Sequence, residues 1–269
     1  MTHGSLFSGI GGIDLGFEWA GIETKWQVEI DDYCQKLLSI RFPHTKKFTD
    51  VRKVGSHNLE KVDIISGGFP CQDISVAGKG AGIEGERSGL WTELHRVISE
   101  LRPRFALIEN VPMLTIRGGT RVIADLTESG YDAEWQIVGA DDMGAWHRRK
   151  RIWIVAYPKS RESGEQEARD GWKGSGRGSK EVPDTDSSRR RERWRSKPIQ
   201  KTFDTSERSS KRTIPTYWST EPDVGRVAHG IPKRVDRLKG IGNAVVPHIP
   251  YIIGKRLYEL CQENQAEKH

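Results

Sequence analysis

The chain has 269 residues, 35% of them hydrophobic and 30% charged, and a formal net charge of +6. That length suits one large α/β domain with room for a small appendage, and the positive balance fits a polyanionic partner. Three cysteines (Cys34, Cys71, Cys261) lie far apart and in no Cys/His grouping of metal spacing, which argues against both a disulfide framework and a zinc site. No apolar run approaches membrane-spanning length, and Met1-Thr2-His3-Gly4-Ser5 opens no secretory leader. The expectation is a soluble, cytoplasmic protein with no membrane partner and no metal, acting as a monomer.

In chain order, Ser5-Leu6-Phe7 reads as a short strand, followed by the glycine turn Ser8-Gly9-Ile10-Gly11-Gly12 and a helix over Ile13–Ala20. Thr24–Glu29 is a second strand. Asp31 can cap a helix running to Phe42, with Tyr33, Leu37, Leu38 and Ile40 as its apolar residues and Pro43 as its stop. Val62–Ser66 is a strand that ends in Gly67-Gly68-Phe69-Pro70. After a polar, glycine-rich loop over Ser75–Ser88, Leu90, Leu94, Val97, Ile98 and Leu101 fall on one helical face. Phe105–Ile108 is a strand, Val122, Ile123 and Leu126 mark a helix, and Tyr131–Val138 and Arg151–Tyr157 are two further strands. This alternation predicts a doubly wound, mostly parallel sheet with helices on both faces.

The pattern breaks at Pro158. Between Pro158 and Tyr217 there are sixteen Lys/Arg against ten Asp/Glu, an excess equal to the net charge of the whole chain. Eight of those sixty residues are apolar, and no period of 2 or 3.6 is sustained, so the segment reads as flexible and basic. Order returns near Arg226. Gly240–Pro247 then leads into a closing helix with Ile249, Ile252, Ile253, Leu257 and Leu260 on its apolar side. The expected organisation is a catalytic and cofactor-binding domain over 1–157, a variable basic segment over 158–223 and a return to the first domain over 224–269.

Three constellations carry chemistry. Phe7 to Gly12 lies between a strand and a helix, where glycines let a ligand approach the backbone and the helix offers free N–H groups. Glu29, some twenty residues after the first glycines, stands where nucleotide-binding folds hold ribose hydroxyls, although taken alone it reads first as a helix-start carboxylate like Asp31 and Asp32. Phe7 reads either as core or as a stacking surface. Cys71 and Glu109 each follow a predicted strand end, so both would open onto the same sheet edge. Cys71 is then either a small buried core thiol or a nucleophile. Glu109 comes directly after four apolar residues, where a carboxylate needs a partner. Arg149 and Arg151 lie in His147-Arg148-Arg149-Lys150-Arg151. If extended, the two arginines project to one face and could grip a phosphate or a base carbonyl; otherwise the run is a solvated basic turn.

Taken together and in order, Phe7-Ser8-Gly9-Ile10-Gly11-Gly12, Gly68-Phe69-Pro70-Cys71-Gln72, Glu109-Asn110-Val111, Arg149-Lys150-Arg151 and Gly242-Asn243-Ala244-Val245-Val246-Pro247 resemble the DNA cytosine-5 methyltransferase family of restriction-modification systems. The resemblance spans roughly residues 4–157 and 224–260, and Ser75–Leu90 looks like the family's mobile catalytic loop. It departs from the family pattern at His147, where Gln is usual. The 158–217 segment shows no recognisable recognition domain, and Arg226–Leu238, with Arg234 and Arg237, is the best candidate for the element before Asn243.

The resemblance implies a Rossmann-like fold using S-adenosyl-L-methionine on a cytosine flipped out of double-stranded DNA. Cys71 would attack ring carbon 6, Glu109 would hold ring nitrogen 3 and the exocyclic amine, and Arg149 and Arg151 would grip the nucleotide. Phe7 would stack on the cofactor adenine beside Gly9 and Gly11, and Glu29 would bind the ribose. Asp50 and Val51 would meet the adenine edge, and Asn243 would complete the pocket. Trp172 and Trp194, among the charges of the basic segment, read as base-stacking wedges or as exposed loop residues. An RNA (transfer RNA) cytosine-5 methyltransferase and a non-catalytic DNA-binding relative are the alternatives.

Overall fold

A computed structural model describes residues 1–70, 89–159 and 234–266. All of them belong to one compact unit drawn from Met1–Lys159 and Thr220–His269. Cys71, the loop stretch up to Ser88, Trp172, Trp194 and the basic segment beyond Lys159 lie outside the described residues.

Seven strands form one sheet: β1 (Thr2–Leu6), β2 (Glu23–Val28), β3 (Lys46–Phe48), β4 (Ile64–Gly67), β5 (Phe105–Asn110), β6 (Tyr131–Val138) and β7 (Arg151–Pro158), in the order β3-β2-β1-β4-β5-β7-β6. The first five run parallel to one another. β7 lies antiparallel to both β5 and β6. The sheet is therefore mixed, with a parallel body and an antiparallel end. The helices are α1 (Gly12–Trp19), α2 (Asp32–Arg41), α3 (Gly89–Leu101), α4 (Gly119–Glu128), α5 (Arg234–Asn243) and α6 (His248–Ala266).

A parallel sheet covered on both faces needs strands that are apolar throughout. Ile64 and Ile65 on β4, and Ala106, Leu107 and Ile108 on β5, are all at most 1% exposed. α3 lays Trp91, Leu94, Val97, Ile98 and Leu101 onto this core. Trp91, and not Leu90, starts the buried stripe; Leu90 is only partly buried and packs at its margin. On α2, Asp31 caps the helix by accepting from the Tyr33 and Cys34 amides, as its position predicts, while Ile40 is exposed.

Two elements depart from the reading of the chain. β3 pairs with β2 through Lys46, Lys47 and Phe48, a run too short and too charged to read as a strand. α5 forms over a stretch with two glycines, with Val235 and Ile241 exposed, and contacts from Lys239 to Asp31 and from Arg149 to Gly242 hold it in place. No helix among the described residues is long and apolar enough to cross a membrane.

Candidate active site

The carboxyl ends of β1, β2, β4 and β5 open onto one cavity of about 960 Å³. This is where a parallel α/β sheet places its ligands, because the strand-to-helix turns leave backbone groups free at that edge. Phe7, Gly9, Glu29, Asp50, Val51, Glu109, Arg151 and Asn243 all line it. Gly11 and Arg149 do not, and Cys71 lies outside the described residues.

Glu109 is the penultimate residue of β5, not a residue beyond its end. Its partner across the antiparallel pair is Trp153, and Arg151 lies two residues from Trp153 on β7. Glu109 and Arg151 are thus diagonal neighbours on one face, within reach of a long side chain. The Arg151 Nε lies 2.9 Å from a Glu109 carboxylate oxygen, with the two side chains 21% and 12% exposed. Burial pushes the Glu109 carboxyl above the usual carboxylate range, opposed by the charges of Arg151 and Arg149.

The turn after β4 comes close to this carboxyl. A Cβ at Gly68 would sit 2.7 Å from Glu109 Oε2, so a larger residue there would displace the carboxylate. Asn110, 2% exposed, donates from its side-chain amide to the Phe69 carbonyl at 3.2 Å and accepts from the Val111 amide at 2.8 Å. It holds the Gly-Phe-Pro turn that leads directly to Cys71. Asn110 appeared in the sequence only as part of a motif; its burial is what reveals this function.

At the other end of the cavity, Phe7 has φ +54, a left-handed conformation costly for a bulky residue, and is half-buried against the core. Gly9, at φ +56, has nothing within 4 Å of where a Cβ would be, and it faces the cavity. Glu29 joins this turn to β2: its carboxylate accepts from the Gly9 amide at 2.7 Å and from the Asp31 amide at 2.9 Å. Gly11 is the N-cap of α1 and packs against Phe42 and Leu38. Asp50 caps a short 3-10 turn, and Arg52 grips both its oxygens, which holds the carboxyl below its ordinary value. Val51 is buried beside it.

The far wall comes from the other end of the chain. Asp236, Lys239, Gly240 and Asn243 of α5 line the cavity, followed by Ala244 and Val245. Lys239 reaches Asp31 at 2.8 Å. No local signal in the sequence marked Lys239 or Asp31 as parts of one wall, since they lie 208 residues apart. Arg149 corrects the expectation of an extended arginine pair. It stands before β7 with φ +32, and its guanidinium donates to the Gly242 carbonyl at 2.7 Å. No group of three or more His, Cys, Asp or Glu side chains among the described residues could hold a metal ion.

A family model for the C-5 cytosine-specific DNA methylase matches residues 1–230. The chain belongs to this family. Type II methyltransferase M2.BsuMI of Bacillus subtilis is 39% identical over 160 residues, which cover 56% of this chain and 41% of that protein. The chain spans about half the length of the curated relatives it matches. An E. coli structure described as a DNA modification methyltransferase encoded within a prophage is 30% identical, with a TM-score of 0.52, covering 60% of this chain and 48% of that one. The Entamoeba histolytica methyltransferase EhMeth, 20% identical with a TM-score of 0.53 over 60% of this chain and 53% of that one, shares the fold. In this DNA methylase relative, the cavity and the Glu109–Arg151 pair lie at the carboxyl edge of the parallel strands.

Proposed function

We propose that the chain is a DNA (cytosine-5-)-methyltransferase that uses S-adenosyl-L-methionine and a covalent Cys71 adduct on a flipped-out cytosine. The observation that carries this reading is Glu109: a desolvated carboxyl, bonded to Arg151, against the Gly68 turn that leads to Cys71, on the wall of a large cavity. The residues present also fit the cofactor. Gly9 leaves open space at a positive φ, Phe7 offers a ring, and the Glu29 carboxylate, although it accepts two amides, keeps lone pairs for ribose hydroxyls. When bound, the cofactor supplies an electrophilic methyl group.

The Cys71 thiolate adds to ring carbon 6 of the cytosine, forming a carbon–sulfur bond and moving electron density through the ring. Glu109, its carboxyl favoured in the neutral form by burial, donates its proton toward ring nitrogen 3, while its other oxygen accepts from the exocyclic amine. Arg151 fixes the orientation of that carboxyl. Carbon 5 gains the density that makes it nucleophilic. After methylation it gives up its proton, the carbon–sulfur bond breaks, and Cys71 leaves as thiolate. Asp50 and Val51 would border the adenine and Asn243 would close the pocket. The basic segment over 158–223 would contact DNA phosphates and select the site, giving salt-dependent affinity.

DNA carrying 5-fluorocytosine cannot lose its carbon 5 substituent, so the wild-type chain should form a denaturation-resistant complex with it when S-adenosylmethionine is present. Cys71→Ser should form none. A Cys71→Ser chain that still traps the DNA would remove Cys71 from the mechanism.

A further inference from the structure

Arg149 joins two parts of the site. On one side it stands two residues before Arg151, whose Nε lies 2.9 Å from the Glu109 carboxylate. On the other its Nη2 donates to the carbonyl of Gly242, 93 residues away, at 2.7 Å. Gly242 is the penultimate residue of α5, and its carbonyl is among the last four of the helix, which lack partners within it. A cation at that end also meets the negative pole of the helix. Arg149 therefore serves as a C-terminal cap for α5. Its Nε is buried without a hydrogen-bond partner, and its backbone holds φ +32, so the side chain is committed to this place at a cost. The residues just past the cap, Asn243, Ala244 and Val245, form the cavity wall. Val245 in turn packs against Gly12 at the start of α1, where a Cβ would lie 2.9 Å from its side chain.

We infer that Arg149 is a positioning residue that sets the cofactor-cavity wall through Gly242 and so couples that cavity to the Glu109 side of the site. This rests on the proposed reading of the cavity as the S-adenosylmethionine site. Arg149 then acts on cofactor binding even when no DNA is present, which a residue that touches only the target nucleotide cannot do.

The test is calorimetric titration of the full chain with S-adenosylmethionine in the absence of DNA. Arg149→Met should weaken binding about tenfold, the scale of a lost charge-assisted hydrogen bond. Arg149→Lys, which keeps a cationic donor, should recover part of the loss. Wild-type affinity in Arg149→Met, together with poor DNA methylation, would overturn the inference and leave the cavity reading intact. No binding by the wild-type chain would overturn the cavity reading and the coupling with it. Should Arg149→Met fail to fold, hydrogen exchange on the wild-type chain decides. Cofactor alone should slow exchange at 147–151 as well as at 240–245, and unchanged exchange at 147–151 overturns the coupling.

Discussion

In the proposed reaction, much rests on the surroundings of one side chain, Glu109. The carboxyl is largely buried beside the β5 core, and burial raises its proton affinity more than Arg151 and Arg149 lower it. A carboxyl that holds its proton more tightly is a better donor at the moment charge develops on a ring nitrogen. Glu109→Gln retains the shape and an amide donor but has no proton to share. We expect it to lower the turnover number for methyl transfer by about 10²–10³-fold, the scale of losing one preorganised donor. Tritiated methyl incorporation at saturating cofactor and DNA measures this, and a loss under about threefold would show that the proton of Glu109 is not used. Glu109 was legible in the sequence because a charged residue directly after Phe105-Ala106-Leu107-Ile108 demands a partner. Arg151 could be named as a candidate there, but its bond to Glu109 depends on the β5–β7 register, which no local pattern encodes.

Between β1 and α1 the elements meet over buried polar groups instead of a dry core. Asp14, in the first turn of α1, accepts from the Ser5 hydroxyl and the Gln27 amide with no exposure to water, and burial pushes its carboxyl up to about 6. His3, equally buried, hydrogen-bonds Thr24 and Ser66, and burial pushes its imidazole down to about 3. The two act on stability with opposite sign. Asp14 holds a proton in the folded chain that the unfolded chain releases above its ordinary 3.8, so its contribution is lost as pH rises toward about 6. His3 stays neutral while the unfolded chain takes a proton below 6.5, so its contribution is lost as pH falls toward about 3. Between about pH 4 and 6 the two slopes oppose. Asp14→Asn should therefore leave a stability that rises with pH across that window, by at most roughly 1.4 kcal/mol per unit, and His3→Asn one that falls. Urea denaturation at several pH values reads both, and equal slopes in the two variants would contradict the assignment. Elements with strong periodicity, such as α3 and β4, were legible in the sequence. α5 was not, because Gly240, Gly242 and Asp236 give it little helical preference, and its support comes from Lys239 on Asp31 and Arg149 on Gly242.

For the whole molecule, the division of labour follows from charge and topology. The net positive charge is concentrated in a segment of the chain that contributes few apolar residues, while the sheet edge holds the cavity proposed for the chemistry. Deleting about 160–215 should weaken DNA binding and erase sequence preference, and the remaining affinity should depend less steeply on salt because fewer phosphates are neutralised. Bisulfite sequencing of DNA from expressing cells, with salt titrations of binding, checks both effects; unchanged methylation sites after the deletion would place recognition elsewhere. The same deletion tests whether so short a recognition segment suffices.

The amino-acid sequence by itself determined the α/β alternation, the family to which the chain belongs, and the identity of most residues at the sheet edge. It could do so because apolar periodicity, glycine turns and ordered short motifs are local properties of a chain. The tertiary structure decided what lies beside what: Glu109 against Arg151 and Gly68, Asn110 beneath the turn to Cys71, and α5 closing the cavity from the far end of the chain. Those juxtapositions depend on strand order and register, and on where helices dock, which arise from packing between residues far apart in sequence.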